Sequence, residues 1–191
     1  MNNEISYFET IKCNDYEIYN IDFHKKRVAN TIGLNINLDE YIYPIDDKLY
    51  KCKVTYTKNG ISDIKYDLYT PKDISSLKII YDDNISYKYK YTNRNHINNL
   101  YDKKDNADDI IIIKNGFVTD TSIANIAIYQ NDTWWTPKYP LLEGTTKKRL
   151  LATGFLKEKN ITLSELLNCK KIALMNAMIN FKELKNYKLI I

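Results

Sequence analysis

Residues 108–129 read DDIIIIKNGFVTDTSIANIAIY, and this stretch carries the clearest fold signal in the chain. The isoleucine-rich run Asp108–Lys114 has the length and the β-branched content of a buried strand. Asn115-Gly116 is typical of a tight turn, because both residue types tolerate a positive φ angle. Two more strands are predicted at Phe117–Asp120 and Ile123–Tyr129. The stretch therefore predicts three consecutive strands that begin a structural unit.

The rest of this unit mixes helices with strands. A helix is predicted over Thr145–Thr153, between two glycines. A second helix is predicted over Thr162–Leu167, where Thr162 and Glu165 have the spacing of a capping box. Two further strands are predicted: Lys171–Asn176, which has the pattern of a buried strand, and Tyr187–Ile191, at an edge.

The N-terminal region predicts a smaller α+β unit with an antiparallel sheet. Its helix is predicted over Asp22–Thr31, with Asp22 as the cap and Gly33 just after the end. Asn59-Gly60 is a strong hairpin signal between two strands. The predicted strands are Tyr7–Cys13, Tyr16–Ile21, Lys51–Thr57, Ser62–Tyr69 and Leu77–Tyr81.

Between the two units lies a polar stretch, residues 82–109, which predicts an exposed linker with one short helix. We therefore expect two domains. Residues 1–86 would form a small N-terminal α+β domain, and residues 87–191 a C-terminal α/β domain.

Composition and charge exclude several classes of protein. The chain has 191 residues, a net charge of +4 and interleaved Lys and Asp, without the basic stripe of a nucleic-acid-binding protein. No apolar run approaches the roughly 18 residues needed to span a bilayer. The 3 cysteines lack the spacing of a disulfide framework or a zinc site and favour a reducing cytosol. Residues 1–10 have no apolar segment, so no secretory signal is expected. We expect a cytoplasmic protein that binds no nucleic acid, membrane or metal.

Four groups of residues could carry chemistry, and each has an ordinary structural alternative. His24 and Arg27 share a helix face, which could simply be solvated. Lys90 lies among tyrosines that could desolvate its amine, although an alternating strand has the same pattern. Gly144-Thr145-Thr146 opens a helix and offers N–H groups to an anion, as many helix starts do. Asp120 ends a strand, where aspartate is most often a turn residue.

Taken in chain order, these residues resemble the class IV fold of pyridoxal phosphate enzymes. That family includes branched-chain aminotransferases, D-amino acid aminotransferases and aminodeoxychorismate lyases. Lys90-Tyr91-Thr92-Asn93-Arg94 and Asn176-Ala177-Met178 are similar to segments of the lyase branch. The other similar segments are Phe8-Glu9-Thr10 followed by His24-x-x-Arg27, Lys114 to Asp120 with Ser122 and Asn125-Ile126, and Trp135-Thr136-Pro137 with Leu142 and Gly144-Thr145-Thr146.

The resemblance implies a two-domain fold of the D-amino acid aminotransferase-like type, α+β with α/β, and pyridoxal 5'-phosphate as cofactor. Lys90 would be the catalytic lysine, which binds the cofactor and then serves as general base at the substrate. The implied cofactor-binding residues are Arg27, Lys90, Asp120, Thr145, Thr146, Asn176 and Ala177, and no metal site is implied.

The implied roles agree with elementary chemistry. A phosphate dianion suits Arg27 together with the hydroxyl of Thr146 at a helix start. The pyridine nitrogen needs a carboxylate partner, which would be Asp120. The family has Glu there, one methylene longer. The chain also has Lys147 where the family usually has Arg, and it lacks the family's Arg-Gly-Tyr segment. The missing segment concerns the substrate side of the pocket more than the cofactor side.

Three functions follow from the resemblance. The first is a 4-amino-4-deoxychorismate lyase, which releases pyruvate and 4-aminobenzoate for folate synthesis. The second is an aminotransferase acting on D- or branched-chain amino acids. The third is a catalytically degenerate relative, because fold alone does not establish activity. In each case the resemblance implies a homodimer.

Overall fold

The computed structural model describes residues 4–191. These residues form two compact units. Unit 1 contains residues 4–71 and 89–93, and unit 2 contains residues 72–88 and 94–191. The predicted domain limits therefore differ from the compact units, since residues 72–88 belong to unit 2. The reason is a strand within this segment, which pairs with unit 2 rather than with the N-terminal sheet.

Unit 1 consists of an antiparallel sheet and one long helix, α1 (Ile21–Ile32). Its strands are β1 (Tyr7–Asn14), β2 (Glu17–Ile18), β3 (Tyr50–Thr57) and β4 (Gly60–Leu68). They are arranged in the order β2-β1-β3-β4. Alternate residues of β1 and β3 are buried, including Ile11 and Val54, and α1 adds Val28 to the same core.

The start of α1 differs from the prediction. Asn20 is the N-cap, with a left-handed φ of 56°, and it makes no side-chain cap hydrogen bond. Asp22 lies in the first turn, where its charge is favourable at the positive end of the helix dipole. The end was predicted correctly: Gly33 has a φ of 74° and donates its N–H to the Ala29 carbonyl.

Unit 2 is built on a nine-stranded mixed sheet. The strands are β5 (Ser76–Tyr81), β6 (Asp109–Lys114), β7 (Phe117–Thr121), β8 (Asn125–Gln130), β9 (Thr133–Pro137), β10 (Leu156–Lys159), β11 (Lys171–Asn176), β12 (Asn180–Glu183) and β13 (Lys188–Ile190). The helices are α2 (Asn95–Tyr101), α3 (Thr145–Ala152) and α4 (Leu163–Leu167).

One path through this sheet runs β10-β9-β8-β7-β6-β5-β13, and β11 pairs with both β8 and β12. The strand β6 pairs with β5 in parallel and with β7 antiparallel, so both of its edges are hydrogen-bonded to neighbouring strands. Its isoleucines, residues 110–113, are at most 1% exposed. Two of them, Ile111 and Ile113, belong to the main core of the unit together with residues of β8 and β11. The three strands predicted from residues 108–129 are confirmed.

The structure adds three strands that the sequence pattern did not predict: β9, β10 and β12. β10 is largely polar, and only Leu156 is buried. It pairs in parallel with β9, so tertiary pairing rather than local pattern determines it. Within residues 4–191, no helix is long and apolar enough to cross a membrane.

Candidate active site

Asp120 is a buried carboxylate on β7. It is 5% exposed and accepts hydrogen bonds from Asn125 Nδ2 at 2.6 Å and from the Leu142 N–H at 2.9 Å. Burial raises the pKa of Asp120 to about 6, although both hydrogen bonds favour its ionised form. These are the surroundings of a buried carboxylate and not of an exposed turn residue.

Asn125 faces Asp120 across the pairing of β7 with β8. Its Nδ2 donates to Asp120 Oδ1 and also to the Leu142 carbonyl at 2.9 Å. Its Oδ1 lies against Gly144, where a Cβ atom would come within 1.9 Å of it. One amide therefore contacts both the carboxylate and the residue before α3.

The start of α3 is suited to an anion. Gly144 is the N-cap in an extended conformation, and no side chain caps the helix. Thr145 and Thr146 follow and are buried, and in residues 4–191 the Thr146 Oγ1 has no hydrogen-bond partner. The first N–H groups of a helix have no carbonyl partner within it, and they carry its positive dipole end. A phosphate oxygen would supply the acceptor that this hydroxyl lacks.

Lys147, in the first turn of α3, is a fully buried cation. Its Nζ lies 2.8 Å from Glu158 Oε1 and 3.5 Å from Glu143 Oε1. The two carboxylates compensate its charge, as burial requires. The charge of Lys147 also favours the ionised form of Asp120.

Asn176 and Ala177 lie where β11 turns into β12. Asn176 Oδ1 accepts the N–H groups of Met178 and Ile179, which fixes the turn. Its Nδ2 donates to the Ile123 carbonyl at 3.3 Å. Asn176 is thus tied to the loop that follows Asp120.

In unit 1, Arg27 belongs to a buried cluster on α1 and β1. Glu9 is fully buried and accepts hydrogen bonds from Arg27 Nε at 2.8 Å and from Arg27 Nη2. His24 Nδ1 lies 2.5 Å from Glu9 Oε2, and Tyr56 donates its hydroxyl to Oε1 at 3.4 Å. The helical spacing of His24 and Arg27 brings both side chains to this one carboxylate.

The electrostatics of this cluster are governed by Glu9. Burial alone would raise the pKa of Glu9, but the charge of Arg27 and the hydrogen bonds from His24 and Arg27 lower it to about 2. Burial lowers the pKa of His24 and outweighs the hydrogen bond and charge of Glu9, which act in the opposite direction; the charges of Arg27 and Lys90 add to the lowering. Since an ionised carboxylate only accepts, His24 carries its proton on Nδ1. At neutral pH the cluster therefore consists of an anion, a cation and a neutral imidazole.

Lys90 lies in a short segment, residues 89–93, that joins the edge of the unit 1 sheet. Its carbonyl accepts the Phe8 N–H at 2.9 Å, and Tyr91 bridges to Tyr7. Its Nζ lies 4.7 Å from the centre of the Phe8 ring. Tyr89 and Tyr91 both contact the Tyr7 ring, whereas the aromatic contact of the Lys90 amine is with Phe8.

The candidate residues thus fall into two sets. Unit 1 holds Arg27 and Lys90, whose charges both act on His24. Unit 2 holds Asp120 and the start of α3, linked through Asn125, with Asn176 and Ala177 in the same unit. Sequence reasoning gave no role to Glu9 or Asn125, although both stand inside quoted motifs. A charged or amide side chain in line with the apolar residues on one face of a strand was the signal that could have indicated them.

Comparison with known proteins identifies the family. A sequence model of the family Amino-transferase class IV matches residues 60–186. The chain belongs to this family. It is an enzyme of the group that contains pyridoxal phosphate-dependent aminotransferases and lyases, as the motifs indicated. The mixed α/β fold expected from the resemblance is confirmed.

Two relatives match this class IV chain over nearly its whole length. An uncharacterized protein of Haemophilus influenzae is 32% identical over 182 residues, which cover 90% of this chain and 96% of that protein. The crystal structure of a provisionally named 4-amino-4-deoxychorismate lyase from Haemophilus somnus 129pt is 29% identical, with a TM-score of 0.83. The match covers 93% of this chain and 98% of that one.

A more distant structure shares the fold. It is the pyridoxal phosphate-bound form of a hypothetical aminotransferase from Mycobacterium tuberculosis, which is 14% identical with a TM-score of 0.80. The match covers 96% of this chain and 81% of that one.

Proposed function

We propose that the chain is a pyridoxal phosphate-dependent 4-amino-4-deoxychorismate lyase, which forms pyruvate and 4-aminobenzoate for folate synthesis. The observation that carries this proposal is the similarity, over 98% of its length, to the Haemophilus somnus protein that bears this provisional name. The Asn93-Arg94 pair after Lys90 and the Asn176-Ala177 pair are similar to the lyase branch and support the same choice.

The proposed cofactor is supported by the residues that would hold its phosphate. The Thr146 hydroxyl is buried without a partner in residues 4–191, beside an uncapped helix start. Arg27 would add a charge-assisted hydrogen bond, a type worth about 1.5–3 kcal/mol. Thr145, Asn176 and Ala177 are assigned to the same cofactor by the sequence resemblance alone.

Two residues would carry the proton chemistry. When bound, the cofactor supplies an electron sink for the carbon that loses its proton. Lys90 would hold the cofactor through its amine and, as a free amine, would act as the general base that takes the ring proton of the substrate. Loss of the enolpyruvyl group would follow, driven by formation of the aromatic ring. Asp120 would keep the pyridine nitrogen protonated, which maintains the electron sink.

The test combines a spectrum with a product assay. We expect the protein saturated with pyridoxal 5'-phosphate to absorb visible light. Reduction with borohydride should attach the cofactor permanently to Lys90, which a peptide map would identify. With 4-amino-4-deoxychorismate it should release pyruvate and 4-aminobenzoate in equal amounts. Conversion of the cofactor to its pyridoxamine form by D- or branched-chain amino acids would instead identify an aminotransferase. A protein that takes up no cofactor would be the degenerate relative.

We also propose a cytoplasmic homodimer. The location is supported by Cys13, Cys52 and Cys169, which are all free thiols. The dimer is supported by the family resemblance and by the 17 tyrosines of the chain, since aromatic residues are enriched at interfaces. Light scattering of the purified protein would measure the mass of the assembly.

A further inference from the structure

The side chain of Asn125 connects Asp120 with the segment that leads into α3. It is 6% exposed, and its Nδ2 uses both hydrogens, one for Asp120 Oδ1 and one for the Leu142 carbonyl. The Leu142 N–H in turn donates to Asp120 Oδ2. The amide, the carboxylate and the Leu142 peptide therefore form a closed set in which each carboxylate oxygen has a donor.

Gly144 packs against Asn125 Oδ1, the oxygen of this amide. Its φ of −69° and ψ of 142° are open to any residue, so backbone conformation does not require glycine there. Space requires it, because a Cβ atom would lie 1.9 Å from Asn125 Oδ1. The amide could give way only by losing its two hydrogen bonds. Asn125 therefore sets both the position of Asp120 and the approach of the chain into α3.

We propose that Asn125 is a positioning residue that fixes the Asp120 carboxylate and, through Gly144, the first turn of α3. Its relevance to the cofactor rests on the proposed function, in which Asp120 meets the pyridine nitrogen and Thr146 the phosphate. A single amide would then set the spacing between the two ends of the cofactor site that unit 2 supplies. The shorter side chain of Asp120 makes this fixing more necessary, because it has less reach than Glu.

The steric part is tested by a double-mutant cycle on thermal stability without cofactor. Gly144→Ala in the wild-type background should lower Tm by roughly 5 °C or more, because the amide must leave its partners. In the Asn125→Ala background the same change should lower Tm by less than about 2 °C. Equal losses in both backgrounds would overturn the proposal. Asn125→Ser, which removes less volume, serves in the same way if Asn125→Ala does not fold.

The electrostatic part is tested by titrating Asp120 with carboxyl-carbon NMR, using Asp120→Asn to assign the signal. The Asn125 hydrogen bond favours the ionised form, so Asn125→Ala should raise the pKa of Asp120 by roughly one unit. The Asn125→Ala/Gly144→Ala double variant should keep the raised pKa of Asp120 although Gly144→Ala costs it little further stability, which a purely structural role would not produce. Thr136→Val is the matched control, since it removes a buried hydrogen bond to the Ile126 carbonyl in the same sheet. An Asp120 pKa that responds equally to Thr136→Val would overturn the proposal.

Cofactor binding separates this inference from the proposed function. Fluorescence titration with pyridoxal 5'-phosphate should show roughly 10-fold weaker binding by Asn125→Ala and an unchanged affinity of Thr136→Val. Wild-type affinity in Asn125→Ala would overturn the cofactor role of Asn125. If the wild-type protein itself binds no cofactor, the proposed function fails, while the stability cycle and the Asp120 titration still decide the positioning role.

Discussion

A buried carboxylate remains charged only where the fold supplies donors, and Glu9 receives them from Arg27, His24 and Tyr56. Its pKa of about 2 lies below the ordinary 4.5, so its contribution to stability is fully present above about pH 4.5 and is lost as the pH falls toward 2. We expect Glu9→Gln to lower the free energy of unfolding at pH 7 by about 3 kcal/mol. Between pH 4.5 and 2 the variant should lose less further stability than the wild type. Urea unfolding at a series of pH values measures both effects. Identical acid sensitivity of the two proteins would show that the ionised Glu9 carboxylate does not stabilise the fold.

For Asp120, the structure predicts the outcome of a substitution that the sequence alone does not. The sequence left open whether Glu, the family's residue, would be tolerated there. The structure shows both Asp120 oxygens already bonded, to Asn125 and to the Leu142 N–H, in a position that is only 5% exposed. We expect Asp120→Glu to overfill the site, at a cost of about 1–3 kcal/mol in stability, and to lower turnover by the folded protein. Asp109→Glu adds the same methylene to a buried aspartate on the neighbouring β6. It should lose comparable stability and keep its turnover. Higher activity of Asp120→Glu would show that the Asp120 carboxylate of the wild type lies too far from the pyridine nitrogen.

At the scale of elements, strands with a strong local pattern could be predicted, and strands made by tertiary pairing could not. The four consecutive isoleucines of β6 and the Asn115-Gly116 turn were sufficient to predict β6 and β7. β10 has one buried residue in four and forms only because β9 lies beside it. The polar stretch 82–109 does contain the predicted short helix, α2. The predicted cap of α1, Asp22, was wrong. The N-cap is Asn20, whose backbone is left-handed and whose side chain makes no capping hydrogen bond, so the usual capping pattern does not indicate it.

The capping box of α4 is an element-scale prediction that the structure confirms. Thr162 Oγ1 accepts the Glu165 N–H at 3.2 Å, and the Glu165 carboxylate accepts the Thr162 N–H at 2.8 Å. We expect Thr162→Ala to lower the free energy of unfolding by about 1 kcal/mol, because a helix-start N–H loses its acceptor. Ser164→Ala, in the exposed first turn, should stay within about 0.5 kcal/mol of wild type. Urea unfolding compares the two, and equal losses would show that the cap does not stabilise this helix.

At the scale of the whole molecule, motif order predicted the family from residues spread between positions 8 and 178. It could not predict how those residues are held. Arg27 was expected as a phosphate ligand from the family resemblance, whereas the structure also ties it to Glu9 by two hydrogen bonds. Such a partner is 18 residues away in sequence and on another element, so only the packing of α1 on the sheet reveals it. Truncating Arg27 therefore has two consequences, one for the fold and one for the proposed cofactor.

Ligand linkage separates these two consequences of Arg27→Ala. Without cofactor the variant should be less stable by about 3–5 kcal/mol, because Glu9 keeps a buried charge without its cation. At a concentration of pyridoxal 5'-phosphate 100 times its wild-type Kd, the wild type should gain about 2.7 kcal/mol. If Arg27 binds the phosphate, affinity falls roughly 10- to 100-fold, and the gain of the variant shrinks to about 1.4–0.4 kcal/mol. Unfolding with and without cofactor gives each gain directly. Lys26→Ala, on the exposed side of the same helix, should keep the full gain. If Arg27→Ala kept the full gain while Lys26→Ala lost it, the phosphate would bind to Lys26, and Arg27 would serve only to neutralise Glu9.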